Sequence, residues 1–250
     1  MTDFTMPGRP MSGECGCAAC VALGGARLAQ RAFPRRSFLA LGAAAGLAGL
    51  SALAPGAARA QTTLGPDAAL ARLMAGNARY AAGDMTSFKL DLAALRAQTV
   101  DKQAPFAAVL SCADSRVPVE IVFDESIGSL FVTRVAGNVA NTETIASLEY
   151  GVLVLKVPAI MVLAHQNCGA VEAAMHTKDV PGQITALYAP LQQAVAGGGG
   201  DMAATAKLNA KIQAGLLSTA STVLAGKIAK GELKIVAGYY ALDSGKVTPV

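Results

Sequence analysis

Five cysteines and two histidines are the side chains of this 250-residue sequence best suited to bind a transition metal. Cys15, Cys17 and Cys20 crowd into ECGCAAC, residues 14–20. Cys112 stands in SCADSR, with Asp114 and Arg116 just behind it, while His165 and Cys168 share AHQNCGA. CxCxxC with no histidine nearby is a poor match to the usual zinc spacings. The sparser pair of segments offers two thiolates and one imidazole, and Cys2His is a known set for catalytic zinc with its fourth position open. Two other readings compete. A cysteine that ends a strand is commonly buried core, and in an oxidising compartment Cys112 and Cys168 could pair as a disulfide.

Elements that would bring these segments together are legible in the hydrophobic pattern. DAALARLMAGNARYAA (67–82) has apolar residues near helical spacing, and Asp91 can cap a second helix, DLAALRAQTV. PFAAVLSC (105–112), SLFVTRV (129–135), PAIMVLAH (158–165) and ELKIVAGYYAL (232–242) read as strands. Helices are expected at 142–156 with Thr142 as cap, from Cys168 to about Lys178, at 183–196, and from Asp201 to about Lys230, with a turn at Gly245. Alternating strands and helices indicate an α/β fold with a mostly parallel central sheet flanked by helices. Ligands of such sheets gather beyond the carboxyl ends of the strands. Cys112 and His165 both sit at such ends. GGGG (197–200) lacks the Lys-Ser/Thr of a phosphate loop and reads as a connection between helices.

The net charge of +4 is concentrated at one end. Residues 1–60 hold six arginines and two acids, whereas residues 61–250 carry 15 residues of each sign. The longer part therefore has no electrostatic footprint for nucleic acid. Within the first part, PRRSFLALGAAAGLAGLSALAPGAARA (34–60) joins Arg35-Arg36 to a small-residue apolar run and an A-x-A end. It resembles a twin-arginine export signal. Residues 1–60 are thus expected to be a leader, cleaved before Gln61, and residues 61–250 a single domain in the periplasm or otherwise exported. An uncleaved membrane anchor is the alternative. Cys15, Cys17 and Cys20 would go no further than the leader, unless they serve a contact before export.

CADSRVP, FVTRVAGN, SLEYGVLVLKV and HQNCGAV resemble the β-class carbonic anhydrases, in that family's order and spacing. The resemblance runs from GNARY near residue 76 to YYALDSGKV near 239–247. It implies one Zn²⁺ per subunit held by Cys112, His165 and Cys168. It further implies that Asp114 orients the attacking oxygen and that Arg116 holds Asp114. Asp114 could instead ligate the metal at rest. Gln103, nine residues before Cys112, maps to a substrate-orienting amide, and Phe131 and Tyr150 to an apolar pocket. For the two aromatics plain core packing is the competing role. Gly169 offers a backbone N–H at a helix start for bicarbonate, and His176 is either a proton shuttle or a solvent-facing residue.

The implied reaction is the reversible hydration of CO₂ to bicarbonate and a proton, in a homodimer or dimer of dimers. Alternative functions are hydrolysis of carbonyl sulfide or carbon disulfide on the same scaffold, and zinc binding without catalysis.

Overall fold

The strands are β1 (Ala107–Ser111), β2 (Leu130–Arg134), β3 (Ala159–His165), β4 (Lys234–Tyr240) and β5 (Val247–Pro249). Four of them lie parallel in a sheet of order β2-β1-β3-β4, and the short β5 closes the edge antiparallel to β4. The structure is a computed structural model that describes residues 62–176 and 180–250. The expected leader, with Arg35-Arg36 and Cys15, Cys17 and Cys20, lies outside the described residues.

Every residue of β1 and of β3 is buried, as two-sided parallel strands require. Period-2 alternation divides them between two cores. Ala107 and Val109, with Ala159, Met161 and Leu163, face the core under α1 (Pro66–Ala82) and α3 (Val119–Val122). Ala108 and Leu110, with Ile160, Val162 and Ala164, face the opposite core. That second core is covered by α4 (Thr142–Leu153), α5 (Gly169–His176), α7 (Met202–Ala220) and α8 (Thr222–Ala229). Two further helices are α2 (Leu92–Thr99) and α6 (Gln192–Gly197). Among the described residues, no helix is long and apolar enough to cross a membrane.

The strand order has a functional consequence. From β1 the chain moves to β2 on one side, and then β3 appears on the other side of β1. The carboxyl ends of β1 and β3 therefore flank a topological switch point, where a crevice opens above the sheet. Cys112 follows β1 directly and His165 ends β3.

Close packing fixes α1 against this frame. A Cβ on Gly76 would lie 1.9 Å from the Phe123 carbonyl oxygen, so only glycine permits the approach. At the next position, buried Asn77 donates to Val122 O (3.0 Å) and Gly245 O (2.9 Å), and accepts from Val247 N–H (2.7 Å). One side chain thus ties α1, α3 and β5 together with its polar atoms satisfied.

Several expected elements are altered. Asp91 and Asp201 cap α2 and α7 as expected, but Asn141 rather than Thr142 caps α4. The single helix expected at 183–196 is two short 3₁₀ turns, Ile184–Leu187 and Ala189–Leu191, followed by α6. Pro190 removes a backbone donor there. The long helix expected from Asp201 breaks at Ser221, whose backbone is extended and whose side chain caps α8 by accepting from Leu224 N–H.

Candidate active site

Three elements deliver the donor atoms. Cys112 leaves the end of β1, His165 is the last residue of β3, and Cys168 immediately precedes α5. Between them Asn167 adopts a positive φ of 53°, the sharp turn that returns the chain from β3 to the helix start. Cys112 Sγ, Cys168 Sγ and one His165 ring nitrogen all lie within 4.8 Å of one another, and all three residues are buried.

The chemistry of this set fits a metal. The sulfurs are free thiols 3.9 Å apart, which sets aside the disulfide reading for this structure. The hydrogen bond from Cys168 draws the Cys112 thiol well below its usual value, helped by His165 and by the Gly137 and Asp114 backbone, against the upward push of burial. The Cys168 thiol is pushed up by that same bond, by burial and by the charge on Cys112. The site as it stands favours one negative charge, and a cation is what would favour two. His165 is fully buried, and its Nδ1 is bonded to Gln166 O at 2.9 Å. Its Nε2 has no hydrogen-bond partner. A buried ring nitrogen without a partner is costly, and a metal ligand's geometry removes that cost: one nitrogen on a backbone carbonyl, the other on the ion. Asn138 Nδ2, in the turn after β2, is likewise buried without a partner.

Asp114 stands at the mouth of this cluster, its Oδ2 3.9 Å from His165 Nε2. Arg116 grips it as a fork, Nε to Oδ1 at 2.9 Å and Nη2 to Oδ2 at 2.7 Å, while the Arg116 backbone N–H also donates to Oδ1. The guanidinium beside it holds the Asp114 carboxyl down at about 2, with burial opposing. Arg116 Nη2 also donates to Asn167 O at 3.0 Å, linking the segments after β1 and β3.

Two supporting residues escape a reading of the sequence. Arg134, at the end of β2, donates from Nε to Cys112 O (3.0 Å) and from Nη2 to Asp114 O. Its register partner is Ser111, one residue before Cys112, a pairing that follows from sheet order. Gln166 Oε1 accepts from Leu242 N–H (2.8 Å) and Asp243 N–H (3.3 Å), which anchors the residue whose carbonyl meets His165 Nδ1. Its position between two expected ligands is the signal that could have found it.

Gln103 and Tyr150 line a cavity of about 290 Å³ with Thr99, Lys102 and Leu155, and none of Cys112, Asp114, His165 and Cys168 lines it. The Phe131 and Tyr150 rings lie 6.2 Å apart, and Tyr150 is 44% exposed. Gly169 opens α5 beside Cys168, and a side chain there would meet nothing within 4 Å. His176, the last residue of α5, is exposed.

The sequence profile of the carbonic anhydrase family matches residues 107–247. A carbonic anhydrase of Mycolicibacterium smegmatis is 45% identical over 114 residues, covering 46% of this chain and 55% of that relative's length. Carbonic anhydrase 2 of Mycobacterium tuberculosis is 36% identical over 191 residues, 72% of this chain and 91% of the relative. Among solved structures, a tetrameric β-carbonic anhydrase of Sordaria macrospora superposes with a TM-score of 0.58 at 23% identity, over 62% of this chain and 84% of that one. The matched segment contains both strand-end clusters and the switch point between them, and so the chain belongs to the carbonic anhydrase family of enzymes, in its β class.

Proposed function

We propose that this enzyme catalyses the zinc-dependent, reversible hydration of CO₂ to bicarbonate and a proton. One observation carries the reading: a buried Cys112–His165–Cys168 cluster with an unpartnered His165 Nε2, beside an ionised Asp114. The three side chains would hold the ion, which supplies Lewis-acid activation of water near neutral pH.

Asp114 does the positioning. Its carboxylate, locked by Arg116, accepts a hydrogen bond from the attacking water and turns the oxygen lone pair toward the carbon of CO₂. The carboxylate stays ionised through the neutral range, so it remains an acceptor throughout the cycle. The hold of Arg116 on both carboxylate oxygens supports this role over resting ligation of the metal. The Gly169 N–H lies at the start of α5, the favourable end of a helix for an anion such as bicarbonate.

Gln103, Phe131 and Tyr150 are the substrate-orienting residues of this proposal. The cavity of Gln103 and Tyr150 is separate from the cluster within one chain. We therefore assign the completion of each site to a second copy, in a dimer or dimer of dimers. The tetrameric relative supports assembly of this kind. Export by a twin-arginine signal and a periplasmic setting are supported by residues 34–60 of the sequence.

Metal analysis and CO₂ hydration against pH, for wild type and Asp114→Asn, test the reading. Zinc near one per chain in both proteins, with hydration lost in the variant, is the expected result. Unchanged hydration in Asp114→Asn would overturn the role of Asp114, and a zinc-loaded wild type inert toward CO₂ would overturn the reaction.

A further inference from the structure

Deep on the buried face of α7, two carboxamides do something that hydrophobic packing would not need. Asn209 and Gln213 are one helical turn apart, 0% and 1% exposed. Gln213 Nε2 donates to Asn209 Oδ1 at 3.1 Å, so the pair acts as one unit. Both reach out of the helix to the turn between β2 and α4. Asn209 Nδ2 donates to Gly137 O at 2.8 Å, and Gln213 Oε1 accepts from Ala140 N–H at 2.9 Å. Gln213 Nε2 also donates to Pro190 O at 3.2 Å.

The turn they hold touches the cluster. Gly137 N–H donates to Cys112 Sγ at 3.3 Å. Gly137 has φ 75°, a left-handed conformation natural to glycine, and a Cβ there would crowd Leu191 Cδ1 at 3.3 Å and Ala170 Cβ at 3.4 Å. Its amide is therefore aimed by three constraints: the backbone twist, the packing above it and the grip of Asn209 on its own carbonyl. An N–H donated to a thiolate withdraws electron density from sulfur, and hydrogen bonds to sulfur ligands tune a metal's electronics.

We propose that Asn209 and Gln213 are positioning residues for the metal site, fixing the 137–140 turn so that the Gly137 N–H stays on the Cys112 sulfur. Neither carboxamide touches the ion or the substrate. They act through Gly137, whose Cα joins the peptide unit that Asn209 holds by its carbonyl to the one whose N–H meets Cys112. This inference rests on the metal reading above and extends it to a helix that contributes no ligand.

The test uses the full chain loaded with cobalt(II), whose thiolate-to-metal charge-transfer band reports the sulfur electron density. A second readout is the strength of zinc binding against a competing chelator. Asn209→Ala is expected to move the band to longer wavelength and to weaken zinc about tenfold, the lower end for loss of an outer partner. Leu217→Ala, a fully buried apolar position on the same helix, should leave both at the wild-type value. An unmoved band and affinity in Asn209→Ala, or an equal change in Leu217→Ala, overturns the proposal. If Asn209→Ala does not fold, Gln213→Met takes its place: it keeps side-chain length, removes the acceptor for Ala140, and should shift band and affinity in the same direction. An unmoved band and affinity in that variant likewise overturns the proposal. If neither folds while Leu217→Ala does, the pair is scaffolding and the proposal falls. A wild-type chain without a charge-transfer band overturns the metal reading and this inference together, whereas a band that the variants leave unmoved overturns this inference alone.

Discussion

Arg116 grips Asp114 by both carboxylate oxygens while Asp114 Oδ2 stands 3.9 Å from His165 Nε2. The acid is thus close to the candidate ligands yet held facing the guanidinium. A planar fork makes two parallel bonds that a single ammonium does not reproduce.

Arg116→Lys is therefore not conservative. The variant is expected to keep its metal and fold and to lose about 10²-fold in CO₂ hydration, the scale on which a positioned acid–base group contributes. Stopped-flow hydration beside metal analysis of the same sample reads the two quantities. Hydration within about twofold of wild type, a difference too small for a lost positioning contact, would show that the fork is not needed.

Removing a donor atom should act on the metal before it acts on the fold. Cys168→Ser and His165→Ala are each expected to weaken zinc binding by at least about 100-fold, the upper end for loss of an outer-sphere partner. Competition with a chromophoric chelator measures this. Circular dichroism should show the helices retained, because both cores flanking the sheet are built mainly from other residues.

A pH effect on stability is expected at Asp124, which is not one of the candidate site residues. Asp124 is buried at φ 47° after α3. Burial alone would raise its carboxyl, but Ser87 N–H (2.8 Å), the Arg79 guanidinium (2.6 Å) and the Thr86 N–H and hydroxyl hold it far below the usual range. A depressed folded-state value stabilises the fold above the unfolded value of about 3.9, and that contribution is lost as pH falls toward the folded one. Asp124→Ala is expected to cost about 1.5–3 kcal/mol at pH 7, the scale of hydrogen bonds to a charged group, because the Arg79 left behind is partly exposed to water. The difference from wild type should shrink below about pH 4. Urea unfolding at neutral pH and again at about pH 3 checks both magnitude and sign, and a constant difference would contradict the account.

The proposed twin-arginine leader is open to a direct test. Replacing Arg35-Arg36 by two lysines should leave the full-length chain inside the cell, while the wild type appears in the exported fraction with Gln61 at its N-terminus. Cell fractionation and N-terminal sequencing read both outcomes. Export of the variant at wild-type yield would rule out the twin-arginine route.

What the sequence determined by itself was local and chemical. Apolar runs that end abruptly in Ser-Cys and in His mark buried strands with reactive carboxyl ends, and β1 to β4 lie where their runs predict, whereas the short edge strand β5 has no such run. Since strands of a parallel sheet point the same way, two such ends must lie on the same edge, and order and spacing sufficed to gather Cys112, His165 and Cys168. Asp114 and Arg116 were legible because they lie two and four residues from Cys112, within reach of one turn.

The tertiary structure decided everything that depends on which element neighbours which. Placing β2 beside β1 sets Arg134 opposite Ser111, from where it reaches the carbonyls of Cys112 and Asp114. Asn209 and Gln213 read as ordinary polar positions of a helix, and only the packing of α7 over the β2–α4 turn makes them buried donors and acceptors. Gln103 and Tyr150, which the family resemblance implies as pocket residues, fall in a cavity that the cluster residues do not line. A hydrophobic period shows which face of an element turns inward, but not what it meets there. Contacts across 20 to 170 residues of chain follow from sheet order and helix packing, and those are properties of the whole fold.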